Sequence, residues 1–219
     1  MSACLAAWLG PWSPLLALTV ALVVLRQLVL RPRLAHVGSP VPGLASLRAL
    51  LDDQGRFRGV PVREEADDRF GGGRYVRWDE GAEIRLGPRM LDRADVDALV
   101  ILEHERGHAA RDLAAPRLYR LGVLGTFAFG LAIALGQASL VEIGTLLMWA
   151  AYALALSHEL RDEAAASAYA LERVGERSWP LGLWWEGLVR LGVGFGIYLA
   201  DWAAIAVVVA LLTGALSCR

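Results

Sequence analysis

Residues 118–156 read LYRLGVLGTFAFGLAIALGQASLVEIGTLLMWAAYALAL, two apolar runs parted only by Gly136, Gln137, Ala138 and Ser139. A hydrocarbon core of roughly 30 Å takes about 20 helical residues, and about 17 suffice at the short end. Each run, 118–135 and 140–156, therefore reads as a transmembrane helix, and so short a link makes the pair a helical hairpin. Both outer ends of such a hairpin emerge on one face of the membrane.

Further apolar runs lie outward of it, at 15–30 and 181–217. Hydrophobic residues make up 56% of the 219-residue chain and charged residues 21%, which is too apolar for a disordered chain and unusual for a soluble one. The charge is concentrated instead in residues 31–120, with 16 arginines and 15 acids. This is the pattern of a membrane protein with a polar insert. A net charge of −1 supplies no positive field for nucleic acid, so no nucleic-acid partner is expected. Every one of the 22 basic residues is Arg, a matter of composition rather than function. Cys4 and Cys218 match no metal or thioredoxin spacing, and neither chemistry nor a disulfide is expected of them.

The run 15–30, with Trp8 and Trp12 as interfacial aromatics, reads as a first span. Arg26, Arg31 and Arg33 follow the apolar run rather than precede it, which favours an uncleaved anchor over a signal peptide. Arg26, Arg31, Arg33, Arg111, Arg117, Arg120, Arg161, Arg173 and Arg177 crowd one side, whereas the first 14 residues and the hairpin tip have none. By the positive-inside rule the insert is cytoplasmic and the N-terminus outside. The block 181–217 allows two spans turning near Asp201 and Trp202, or an amphipathic piece bearing Glu186 and Arg190 followed by one long span. Aromatics at Trp184, Trp185, Tyr198 and Trp202 favour the former, and the side of the C-terminus stays open. The expected protein is mainly α, with about 4–5 spans and a small α+β cytoplasmic domain. Its segments are an anchor (1–33), a polar region (34–117), the hairpin (118–157), a cytoplasmic helix (158–178) and C-terminal membrane segments (179–219).

Within the insert, the prolines and glycines of 38–73 predict loops around one short helix at 44–51. Alternating residues on either side of Asp79, Glu80 and Gly81 predict a β-hairpin over 74–86, stopped by Gly87 and Pro88. From Asp92, a candidate cap, the spacing turns helical, with Val96, Leu99, Val100 and Glu103 on one face as far as about residue 113.

That helix contains His104, Glu105, Arg106, Gly107 and His108, an H-E-x-x-H pattern. Residues i and i+4 share a face, so both imidazoles can address one metal ion while Glu105, rotated by about 100°, reaches a water on it. Zinc suits this set: a catalytic site keeps three protein ligands and a fourth position for water. The hairpin returns the chain to the same membrane face, where Ser157, His158, Glu159, Leu160, Arg161, Asp162 and Glu163 follow. Glu159 is the candidate third ligand. Glu163, one turn on, and Asp112, one turn beyond His108, are placed to accept an N–H from a ligand histidine.

His104 to Asp112 resembles the H-E-x-x-H-x-x-R-D segment of membrane-bound gluzincin metallopeptidases, and Glu159 to Glu163 is similar to their E-x-x-x-D helix. Two types share that plan, the heat-shock and CAAX-processing type and the antibiotic-sensor type. The resemblance implies a zincin-like domain with one zinc held by His104, His108 and Glu159, and Glu105 as general base. It also implies that the strand 83–86 is the edge strand that pairs with extended substrate. These types usually carry Asp where this chain has Glu163, so Asp162 is the alternative for that contact. Glu103, Arg106, Arg111 and Asp112 around the motif place it at the membrane surface, unlike site-2 type proteases, whose motif lies within a span. The expected activity is zinc-dependent hydrolysis of cytoplasmic or juxtamembrane peptide; the rival is a non-catalytic metal-binding scaffold or regulator. His158 and Arg161 are candidates to steady the oxyanion, or else interfacial residues. Glu142 and Asp201 read as solvated residues at span ends, and Tyr169 as core.

Overall fold

The computed structural model describes residues 4, 10, 13–30, 37–54, 56–57, 60–65, 73–78, 81–111, 117–176 and 180–218. The protein is mainly helical and divides into two compact units.

The first unit comprises Met1–Leu30, Ala115–Leu160 and Gly196–Arg219. Helix α1 (Ser13–Leu25) continues into a π-helical turn, Arg26–Leu30. To this unit the long helices α5 (Arg117–Gly136), α6 (Val141–Gly175) and α7 (Leu181–Ser217) contribute their apolar lengths. Among the described residues three helices are long and apolar enough to cross a membrane, at Leu118–Gly136, Ala138–Gly175 and Leu181–Ser217, while the apolar helix Leu16–Leu30 is shorter. Leu28, Leu118, Leu146 and Val208 are exposed on these helices, an apolar surface that suits lipid and not water. The hairpin forms as its sequence predicts. Its arms touch at Gly130 and Gly144, where a Cβ on either would lie within 2.6 Å of the other's carbonyl oxygen; small residues let transmembrane backbones approach this closely.

Two expectations fail in this unit. The block 181–217 does not turn at Asp201 but runs as the single helix α7. Asp201 marks no helix end because its charge is met laterally, with Oδ1 2.9 Å from an Arg26 guanidinium nitrogen. The Trp202 carbonyl accepts the Tyr152 hydroxyl at 2.9 Å. Cys4 and Cys218, for which no bond was expected, form a disulfide with Cα atoms 5.8 Å apart. Spacing rules read local motifs, and these two residues are 214 positions apart.

The second unit comprises Arg31–Ala114 and Arg161–Phe195. Here α2 (Leu47–Gln54) precedes the strands β1 (Arg56–Phe57), β2 (Val60–Glu64), β3 (Gly73–Trp78) and β4 (Gly81–Leu86). They form one sheet in the order β1-β2-β4-β3. The expected hairpin is β3 and β4, antiparallel with Tyr75 opposite Ile84. The loops expected before it also contain β1 and β2, since β2 gains its partner from a parallel ladder with β4 that no local signal reveals. As a result β4 is interior, so 83–86 is not an edge strand, and the terminal strand next to the hairpin turn is β3.

After the short α3 (Pro88–Leu91), helix α4 (Val96–Arg111) packs Val96, Leu99, Val100 and Leu102 into a core with Leu47, Ile84, Leu86, Met90 and Leu91, all buried. Its cap is Asp95 rather than Asp92: Asp95 Oδ1 accepts the Ala98 N–H at 3.2 Å, while Asp92 pairs with Arg48. Asp95 also holds the Arg93 guanidinium at 2.6 Å. Asp95→Ala is expected to destabilise the detergent-solubilised protein by at least about 1 kcal/mol, the worth of a cap, read as a lowered thermal midpoint. The two charges that interrupt the start of α7 are used in this unit. Glu186 accepts the Ser39 N–H at 2.7 Å, and Arg190 lies 3.9 Å from Asp97, whose carboxyl is pushed up by burial.

Candidate metal centre

His104 and His108 stand one turn apart on α4 with their Nε2 atoms 3.2 Å from each other and their rings at 90°. The 161–175 segment of α6 brings Glu163 against them, its Oε2 3.2 Å from His104 Nε2 and its Oε1 3.7 Å from His108 Nε2. Donors about 2.0–2.1 Å from a tetrahedral zinc are about 3.3 Å from one another; taking one atom from each residue, the three donors here lie within 4.8 Å of one another, close enough to converge on one ion. Among the described residues His104, His108 and Glu163 form the group able to hold a metal.

Both histidines are oriented from behind. His104 Nδ1 lies 3.4 Å from Ser167 Oγ, and His108 Nδ1 lies 3.2 Å from Asp162 Oδ1. Partners on Nδ1 leave Nε2 to face the ligand and fix the tautomer. Burial opposes charge on His108, but the Asp162 hydrogen bond and the charges of Glu105, Glu163 and Asp162 outweigh it and raise its pKa.

Glu105 is buried beside this group. Burial pushes its carboxyl up, against the pull of His104 and His108 and of the Tyr75 N–H, which donates to Glu105 Oε2 at 2.5 Å. The Tyr75 ring lies parallel to the His108 ring at 6.4 Å. Gly73, two residues earlier on β3, leaves room for the Glu105 side chain, since a Cβ there would stand 3.0 Å from Glu105 Cγ. The outermost strand thus carries the groups that border the acid of the motif.

The helices meet at Gly107, where a Cβ would lie 2.7 Å from both the Cα and the carbonyl oxygen of Ala166. Backbone against backbone cannot yield as a side-chain tip can. Gly107→Val is therefore expected to cost about 1–3 kcal/mol as overpacking does and to weaken metal binding by separating α4 from Glu163, measurable by chelator competition.

The sequence-derived set is thus partly reassembled. His104, His108 and Glu105 are together as expected. Glu163, expected behind a ligand, is the acid that groups with the two histidines, and Asp162 stands beside His108. Glu159 lies in the first unit, where its Oε2 accepts the Tyr198 hydroxyl at 3.1 Å. Asp112 lies outside the described residues. His158 belongs to the first unit, with its ring 5.0 Å from that of Tyr119, and Arg161 is exposed on α6. Glu103 and Arg106, read as surface charges, are a buried pair at 3.0 Å. Ser167 was missed, although Glu163-x-x-x-Ser167 repeats the E-x-x-x-D spacing one turn later, with Ser in place of Asp. Ser167→Ala should weaken metal affinity about 10–100-fold, the usual cost of losing such a support, as read by titration with a zinc indicator.

No protein-family model, curated protein or solved structure matches this chain.

Proposed function

We propose that this chain is a membrane-bound zinc metalloendopeptidase of gluzincin type that hydrolyses cytoplasmic or juxtamembrane peptide. The observation that carries the reading is the convergence of two Nε2 atoms and a carboxylate within 4.8 Å, with a buried fourth group, the acid Glu105, adjoining them. His104, His108 and Glu163 would hold one zinc ion. When bound, zinc supplies Lewis acidity and brings the pKa of a water to roughly 7.

The chain's own residues do the rest. Glu105 is the proton acceptor and later returns that proton to the leaving amine. Its place beside the two histidines suits both directions of transfer. The Tyr75 N–H steadies Oε2, and Ser167 and Asp162 keep the imidazoles in place. An extended peptide pairs with the outer edge of β3, taking the role that resemblance alone had given to 83–86. The three long apolar helices support residence in a bacterial-type inner or plasma membrane, and the arginine distribution supports a cytoplasmic site. The partners are a protein or peptide substrate and the bilayer.

Elemental analysis of detergent-purified protein tests the reading. About one zinc per chain is expected, with peptide hydrolysis lost on chelation and restored by zinc. Carefully handled protein without bound metal would overturn it and leave a membrane scaffold as the better account.

A further inference from the structure

Two bonds in the first unit join the same pair of helical segments at different levels. Arg26, at the end of α1, pairs with Asp201 of α7 at 2.9 Å, and Cys4, before α1, is bonded to Cys218, after α7. The earlier residue of one segment meets the later residue of the other, so the two run antiparallel. Between residues 201 and 218 the helix rises about 25 Å at ~1.5 Å per residue, close to the roughly 30 Å of a hydrocarbon core. The two ties therefore stand near opposite faces of a bilayer.

Arginine placement orients those faces. Residues 1–25, 121–160 and 191–218 contain no arginine, whereas Arg26, Arg120, Arg161 and Arg190 mark where each apolar length begins or ends on the other side. Cys4 and the hairpin tip at Gln137 fall in arginine-free stretches, and Cys218 ends a third, with the single Arg219 after it against the nine arginines grouped on the other side. Disulfides persist in oxidising compartments and are rare in the cytosol. The charge rule and the redox rule select the same face independently.

We infer that the chain crosses the membrane four times, with the short first helix as a full crossing, the Cys4–Cys218 disulfide on the oxidising extracytoplasmic face, and Arg26–Asp201 near the cytoplasmic one. The side of Cys218, open in the sequence, is thereby assigned. The bond forms by exchange with a disulfide-bearing oxidant of that compartment. One cysteine thiolate attacks a sulfur of the oxidant and releases the first oxidant thiolate. The second cysteine thiolate then displaces the other, so two thiols lose two protons and two electrons and the oxidant becomes a dithiol. This assignment rests on the membrane part of the proposed function and not on peptidase activity, so metal content and topology can fail separately.

Maleimide labelling of right-side-out bacterial spheroplasts expressing the full chain provides the test. With a membrane-impermeant polyethylene-glycol maleimide, the wild type should show no mass shift until an impermeant phosphine reductant is added, and then gain an adduct at each of its 2 cysteines. A Val37→Cys variant, exposed in the second unit, should gain its adduct without reductant and only after lysis. Labelling of the native cysteines before reduction would show free thiols and overturn the disulfide. Labelling of them only after lysis, or of Val37→Cys from outside, would overturn the orientation.

Discussion

Replacing Glu163 by alanine is expected to strip zinc from the purified protein, whereas replacing Glu159 by alanine should leave about one ion per chain. The two glutamates are one helical turn apart on α6, and spacing alone favours Glu159. In the folded chain Glu163 Oε2 lies 3.2 Å from His104 Nε2, while the Glu159 carboxylate receives the Tyr198 hydroxyl. Losing a ligand removes one of three protein bonds to the ion and leaves two, so the loss should exceed the roughly 10–100-fold that a supporting residue costs. Elemental analysis of the two variants beside wild type decides it. Zinc retained by Glu163→Ala and lost by Glu159→Ala would restore the assignment implied by family resemblance.

Glu105→Gln is expected to keep the metal and lower peptide hydrolysis by about 10²–10⁴-fold, the usual contribution of a positioned general base. The amide is nearly isosteric with the carboxylate, so its carbonyl oxygen can still accept the Tyr75 N–H, and packing against Gly73 is preserved. What is lost is the ability to take a proton. The comparison therefore separates chemistry from structure: equal zinc with unequal turnover supports the base, and equal turnover excludes Glu105 from it. Proteomic comparison of cells carrying either form would then distinguish one cleaved protein from many.

Local periodicity made much of this legible. The 118–156 hairpin follows from the length of two apolar runs and the short link between them, the His104/His108 face from helical spacing, and β3–β4 from alternation across a turn. The remainder depends on contacts between distant positions. Glu159 and Glu163 occupy one stripe of α6, so sequence narrows the ligand to that stripe, and the close approach of Gly107 and Ala166 decides which turn meets α4. The same holds for β2, whose partner follows it by about 20 residues, and for Asp201 and Cys218, whose partners lie near the other end of the chain. An isolated charge in an apolar run resembles a turn until its lateral partner is known.

The terminal position of β3 has a bearing on self-association. An open edge is a template for any extended chain, including a second copy of itself. On β3, Arg77 is exposed and Arg74 is matched with Glu65 of the same unit. Two such strands brought side by side would set cationic side chains against one another, and the strand sequence GRYVRW brings no acid to offset them. A peptide without cations at those positions would carry no such penalty, so these charges disfavour the pairing of two copies.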